Sequence, residues 1–303
     1  EKREEIYLGG TPIGIQAVSP YFVVTEFVNV VTSEGSFSPA QKAGLKKGDI
    51  ILSVNGERPK DIAQLCKTVE TTNTAEFIVK RNNEVIKIAV NPAKDIRQNA
   101  KKVGIMVKND LSGIGTLTYV RKDKRFGALG HPIADQYGYS DVYQTGTVYD
   151  CTVLGYNRAK NDKPGELIGK IESKKPIGTF DSNTLSGILG KLYELPEGKT
   201  AVTIATKEEV KPGKATIYTT IDGKRPDFYD IEIIKANFQP EEKEKSMIIR
   251  VTDKYLLSKT GGILQGMSGS PIVQDGNLVG AVTHVLTADS TMGYGIYIEW
   301  MMN

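Results

Sequence analysis

Beyond about residue 100 the chain is cut into short β-branched and aliphatic runs by glycine, proline and asparagine turns, and this rhythm narrows the folds open to it. Runs at residues 104–107, 114–120, 142–148 and 151–154 are followed by others at 199–206, 215–221, 229–234 and 247–251. Turn clusters such as Lys163-Pro164-Gly165 and Lys211-Pro212-Gly213 lie between them. Runs of this length and composition read as strands. Many short strands with frequent turns predict a mainly β chain organised as a sandwich or barrel. A last apolar segment, residues 294–302, holds the single tryptophan, Trp300.

Residues 8–92 read as a separate compact unit. Ile13 and Ile15 lie in a short strand after Gly9-Gly10-Thr11-Pro12, and Tyr21-Phe22-Val23-Val24 and Phe27-Val28-Asn29-Val30-Val31 predict further strands. Pro39 to Ala43 predicts a short helix closed by Gly44. The run Leu45-Lys46-Lys47-Gly48-Asp49-Ile50-Ile51-Leu52-Ser53-Val54-Asn55-Gly56 sets a turn, a strand and an Asn-Gly turn in order. Ile62, Leu65, Cys66 and Val69 share one face of a helix. Residues 76–80 and 85–90 predict a hairpin around Asn82-Asn83. This order resembles a PDZ domain of the bacterial-protease type. PDZ domains add an extended peptide as a strand beside a sheet edge, often capturing its C-terminal carboxylate. The resemblance implies a carboxylate-binding loop at Ile13, Gly14 and Ile15, entered through Pro12. Pro92 disfavours helix at Asn91 and marks a boundary. The expected domains are 1–95, with a short N-terminal extension, and 96–303.

Bulk composition excludes several classes. The 303 residues carry 39 basic and 36 acidic side chains, for a net charge of +3, without a long basic run interleaved with aromatics. That argues against nucleic acid as a partner. Apolar runs stay short of the ~18 residues that a membrane span needs. The two cysteines, Cys66 and Cys151, lie far apart and offer neither a disulfide framework nor a metal-ligand spacing, so the sequence implies no metal and no cofactor. Each reads as a small buried residue. The chain opens on Glu1-Lys2-Arg3-Glu4-Glu5 without a methionine and reads as a trimmed or matured fragment.

The chemistry concentrates in Gly266-Met267-Ser268-Gly269-Ser270-Pro271. Glycines bracket a serine, so its hydroxyl can stand clear of the backbone, and the amides of Gly266 and Ser268 can converge on one point. That suits an acyl-transfer site, a nucleophile beside two donors for an oxyanion. A Gly/Ser-rich hairpin turn is the bland alternative. Serine needs a base, usually histidine, and the chain has two. His131, in Gly130-His131-Pro132-Ile133, precedes the serine by a long stretch, the chain order of chymotrypsin. His284, in Gly280-Ala281-Val282-Thr283-His284-Val285, follows it on a strand. The strand after the nucleophile flanks the specificity pocket of chymotrypsin-like enzymes, so Thr283 and His284 are expected in the substrate cleft. An acid to orient the base is less determined: Asp141, Asp150, Asp181, Asp230 and Asp253 all follow His131. A Gly-x-Ser-x-Gly elbow is absent, since Ser270 stands at its final position, which argues against a lipase-like hydrolase.

In combination, the PDZ-like unit, the His131 turn, the Ser268 loop, the 280–285 strand, Gly293-Tyr294-Gly295 and Ile298-Glu299-Trp300-Met301 resemble the SpoIVB family of sporulation serine peptidases. The resemblance spans nearly the whole chain. It implies a PDZ domain followed by a trypsin-like double β-barrel, with Ser268, His131 and Asp253 as catalytic set. The short separation of Asp253 from Ser268 departs from chymotrypsin. The family also implies a signalling protease, exported into the space between forespore and mother cell and associated with the membrane through an N-terminal segment. Such a protease cleaves itself and then a membrane protein that regulates an intramembrane metalloprotease, which processes pro-sigma-K. A catalytically inactive peptide-binding scaffold is the competing reading.

Overall fold

Asp49, from the Lys-Lys-Gly-Asp turn, is fully buried and takes two bonds of 2.7 Å from Arg81 and one of 2.9 Å from the Lys46 amide. It pins the first of two units in the computed structural model. The structure describes residues 4–160, 163–198, 200–237, 239–243 and 245–302. The smaller unit runs from Val18 to Asp110; the larger joins the chain up to Ala17 with everything from Leu111 onward. The strands Pro12–Phe27 and Ile105–Val120 carry the chain from one unit to the other.

In the smaller unit, Ile50–Val54 pairs with Phe22 and Val23 on one side and with Ala75–Arg81 on the other, and Ala75–Arg81 forms a hairpin with Glu84–Val90. Asn82 and Asn83 turn that hairpin with φ of 49° and 67°, as a two-residue turn of this twist requires. Ser38 caps helix Pro39–Ala43, which ends on Gly44 at φ 99°, and Asp61 caps helix Ile62–Glu70. Phe22, Leu45, Ile51, Leu65, Val69, Phe77 and Val79 fill the core. Of the expected helix face only Leu65 and Val69 are buried; Ile62 and Cys66 are exposed.

The expected boundary at residue 95 moves. Ala93–Asp95 pairs with Ala100–Lys102, the buried Asp95 carboxylate binds Arg97 at 2.8 Å, and Val103 enters the core of the smaller unit. The carboxylate-loop assignment is also corrected. Ile13 and Ile15 are 1% and 4% exposed inside the larger unit, and a Cβ on Gly14 would lie 2.4 Å from the Ile171 side chain. These residues are barrel wall, because their apolar side chains alternate into that core.

The larger unit contains two rings of strands. In the second, Gly213–Thr219, Asp227–Ala236, Met247–Val251, Asp289–Tyr297, Asn277–Leu286 and Pro271–Gln274 pair antiparallel in that order, and the last returns to the first. Ile217, Ile231, Ile233, Met247, Ile249 and Ile272 fill it. In the first ring, Ile105–Val120, Arg125–Ala128, Gly187–Leu192, Gly165–Thr184 and Thr145–Asn157 pair in turn, and Pro12–Phe27 closes it by pairing with both ends. Phe126, Phe180 and Ile188 are buried in its strands. Glu5–Leu8 pairs with Ile105–Val120 and with Ala201–Ile204, which runs parallel to the start of Asn277–Leu286, so two short strands stitch the barrels together. The expected run at 199–206 begins at Lys199, outside the described residues. The apolar segment 294–302 divides into the end of a strand at Tyr297 and helix Ile298–Met302.

Removing one partner of a buried ion pair costs about 3–5 kcal/mol. Asp49→Ala should therefore destabilise Val18–Asp110 by about 3 kcal/mol, which hydrogen exchange would detect as faster amide exchange confined to that unit.

Candidate active site

The serine loop is built from its ends inward. Helix Lys254–Thr260 stops on Gly261 at φ 76°, and Leu264–Gln265 then runs parallel to Gly165 and Glu166. The Met267 amide bonds the Leu264 carbonyl at 3.1 Å, and the Met267 side chain is fully buried. The buried Ser270 hydroxyl bonds the Met267 carbonyl at 2.6 Å and the Thr219 hydroxyl at 2.8 Å. The Gly269 amide bonds the Val282 carbonyl at 2.7 Å. Gly269 has φ 96°, and a Cβ there would stand 2.1 Å from the Thr116 carbonyl, so both conformation and space require glycine. Among the described residues, the two amides in residues 266–270 without a hydrogen-bond acceptor are those of Gly266 and Ser268. These are the amides that the sequence nominates for an oxyanion.

The first barrel contributes His131, the base that the sequence nominates. Leu129 and Gly130 both take left-handed φ, 73° and 71°, and turn the chain out of strand Arg125–Ala128 to present His131. His131 Nδ1 lies 2.9 Å from the Pro132 carbonyl. A carbonyl only accepts, so Nδ1 carries the proton and Nε2 keeps the lone pair of a base. The following loop is held by Asn183, a buried side chain that sequence reasoning did not single out. Its Oδ1 accepts from the Ile133 amide at 3.0 Å, and its Nδ2 donates to the carbonyls of Ile133, Ser140 and Tyr143 at 2.8, 3.2 and 3.2 Å.

Ser268, His131, Thr283 and His284 all line one cleft of about 590 Å³. The Ser268 hydroxyl donates to the Thr283 carbonyl at 2.7 Å. The rings of His131 and His284 stand 4.8 Å apart at 36°. Burial, the His131 charge and Lys245 push His284 down to about 4, so it is neutral at physiological pH. Asp253 does not join this group. It caps helix Lys254–Thr260, with Oδ1 accepting from the Leu256 amide at 2.8 Å and Oδ2 from the Asp230 amide at 3.3 Å, and it is not among the residues lining the cleft. An aspartate at the start of a helix satisfies open amides there, and this role corrects its assignment as the acid beside His131. Asp230 receives the cap on a neighbouring strand, and the Asp150 carboxylate binds Lys224. Cys151 is buried, and burial pushes its thiol up to about 11, so it stays protonated.

A serine and a histidine from two barrels, lining one cleft together with Gly266, fit a double-barrel serine peptidase; the smaller unit adds a PDZ domain. The family follows from the chain itself. Residues 99–302 match the model of the SpoIVB peptidase S55 family and residues 30–80 that of a PDZ domain, so the chain belongs to the SpoIVB peptidase family. It is 36% identical over 55 residues to serine protease HTRA1 of Xenopus laevis, covering 18% of this chain and 12% of that protein. It is 32% identical over 112 residues to a probable periplasmic DegP-like serine endoprotease of Chlamydia pneumoniae, covering 34% of this chain and 23% of that protein. It thus spans about an eighth and a quarter of those relatives. Among solved structures it is similar to the Rv3671c protease of M. tuberculosis. The inactive form matches with a TM-score of 0.36 and 14% identity over 62% of this chain and 81% of that one. The active form matches at 0.35 and 15% over 63% and 72%.

Two outcomes follow from this geometry. His284 has a folded pKa below its ordinary 6.5. The unfolded chain therefore binds the proton first, and the stability His284 confers is complete above pH 6.5 and lost as pH falls toward about 4. His284→Gln should flatten the fall in Tm between these values. Asn183→Leu frees the loop after His131, and small misplacements of a catalytic group cost about a hundredfold. The rate of Ser268 modification by a fluorophosphonate should fall by about that factor.

Proposed function

We propose that the protein is a serine endopeptidase in which Ser268 is the nucleophile and His131 the base. The observation that carries this reading is the shared cleft, where both side chains sit beside the open amides of Gly266 and Ser268. The Ser268 hydroxyl turns from the Thr283 carbonyl toward His131 Nε2 and attacks the carbonyl carbon of a peptide bond, and its proton passes to that nitrogen. The oxyanion accepts from the two amides. His131 then donates its proton to the leaving amine, and water releases the acyl group by the same steps in reverse roles. The Pro132 carbonyl fixes the tautomer throughout, the part an acid plays in chymotrypsin-like enzymes.

The finer role rests on membership of the SpoIVB peptidase family. In this proposal the protease is exported to the space between forespore and mother-cell membranes and associates with the membrane there. It cleaves itself, then a membrane protein that regulates an intramembrane metalloprotease, and so triggers pro-sigma-K processing. The PDZ domain guides self-cleavage and substrate choice. One observation favours the alternative of an inactive peptide-binding scaffold: the Ser268 hydroxyl is committed to the Thr283 carbonyl. A reactive serine separates the two. The expected result is covalent fluorophosphonate labelling of the intact chain, lost in Ser268→Ala, with peptide-bond cleavage falling about a millionfold in Ser268→Ala and in His131→Ala. An unlabelled wild-type chain with peptide present would leave the scaffold.

A further inference from the structure

The cleft around Ser268 has an unusual lining for a site that handles a polar backbone. Among the described residues that form it, His131 and His284 are the only ones with an ionisable side chain other than hydroxyls, and none is an aspartate, glutamate, lysine or arginine. Its walls are aliphatic. The orientation of a substrate in it follows from the chemistry proposed above, on which this inference rests. The leaving amine takes its proton from His131, so the residue after the scissile bond lies toward His131 and the loop that follows. The carbonyl oxygen lies toward the Gly266 and Ser268 amides. The residue before the scissile bond therefore projects over the segments flanking Ser268 on its own barrel, residues 263–266 and 283–285.

Those segments place Ile263, Leu264 and Val285 in the wall. Ile263 and Leu264 are 2% and 1% exposed and belong to the core of the second barrel, so they form a rigid floor. A Cβ at Gly293 would stand 2.6 Å from Ile263 Cδ1, which shows how closely strand Asp289–Tyr297 backs that floor. Val285 is half-buried and closes the side. Gln265, exposed, is a polar side chain at the rim.

We infer that this pocket selects an aliphatic residue, of the size of valine or leucine, on the acyl side of the cleaved bond, with Ile263 and Leu264 as its floor and Val285 as its specificity-determining wall. A charged side chain entering here would give up water without meeting a counter-charge in the described lining, which is strongly unfavourable.

The test uses peptidyl diphenyl phosphonates that differ only in the acyl-side residue, valine or leucine against lysine or aspartate. Ser268 adducts on the intact chain are followed by mass spectrometry beside a simple alkyl fluorophosphonate. The valine and leucine probes should react at least about a hundredfold faster than the charged ones, and Val285→Asp should move the preference toward lysine. Equal or faster reaction of a charged probe, with the fluorophosphonate still labelling Ser268, overturns the specificity alone. Failure of the fluorophosphonate as well overturns the serine-peptidase reading and the specificity with it.

Discussion

Thr116 holds the site together. Its amide donates to the Ser268 carbonyl at 3.0 Å and its hydroxyl to the Gly266 carbonyl at 2.8 Å, while its own carbonyl accepts from the Leu129 amide at 3.3 Å. One residue of the first barrel thus grips the serine loop with two donors and the approach to His131 with its acceptor. Thr118, fully buried two residues on, adds a bond of 2.7 Å to the Gly269 carbonyl. Each such bond is worth only about 1 kcal/mol net, but a buried carbonyl left without one costs more. The arrangement therefore favours one register of the two loops over its neighbours. It also explains why residue 269 is glycine: the strand approaches too closely for any side chain.

With the loops fixed, the electrostatics of the cleft follow. In the proposed mechanism acylation places a positive charge on His131, whose ring lies 4.8 Å from that of His284. A second imidazolium at that distance would oppose the first. Burial on its strand keeps His284 uncharged at neutral pH, so it contributes a polar but unopposing wall. Its Nδ1 is buried without a hydrogen-bond partner among the described residues, and this adds to the cost of ionising it.

What the sequence made legible was local chemistry. The Leu45 to Gly56 run, the short helix from Pro39 closed by Gly44 and the Asn82-Asn83 turn each form from residues close in the chain, and each stands where its residues put it. The serine loop and the His131 turn are local motifs in the same sense, and the fold brings both to one cleft. Long-range placement was not legible. Strand Gly165–Thr184 is twenty residues long yet has four consecutive exposed positions at its middle, so no alternation of apolar and polar residues announces it. Ile13 to Ile15 read as part of the PDZ unit because it is their neighbour in sequence, but their partners are in the barrel. Asp253 was assigned through resemblance, whereas one of its oxygens caps its own helix at Leu256 and the other engages the Asp230 amide, which only the fold brings within reach. Asn183 and Thr116 carry no motif; their roles come from contacts 40 to 150 residues away in the chain.

In the proposed mechanism, the bond from Ser268 to the Thr283 carbonyl would give the substrate a part in assembling the site. Strand Asn277–Leu286 offers its backbone to the cleft at residues 283–285. A peptide laid along it as an added strand would bring its own amide to that carbonyl, as strand addition requires. The serine hydroxyl would then exchange one acceptor for another of similar strength, Nε2 of His131, whose Nδ1 faces the Pro132 carbonyl. Because one hydrogen bond replaces another, the switch carries little net cost. In the proposed mechanism Ser268 would therefore be presented to His131 most readily when a peptide backbone is already in place.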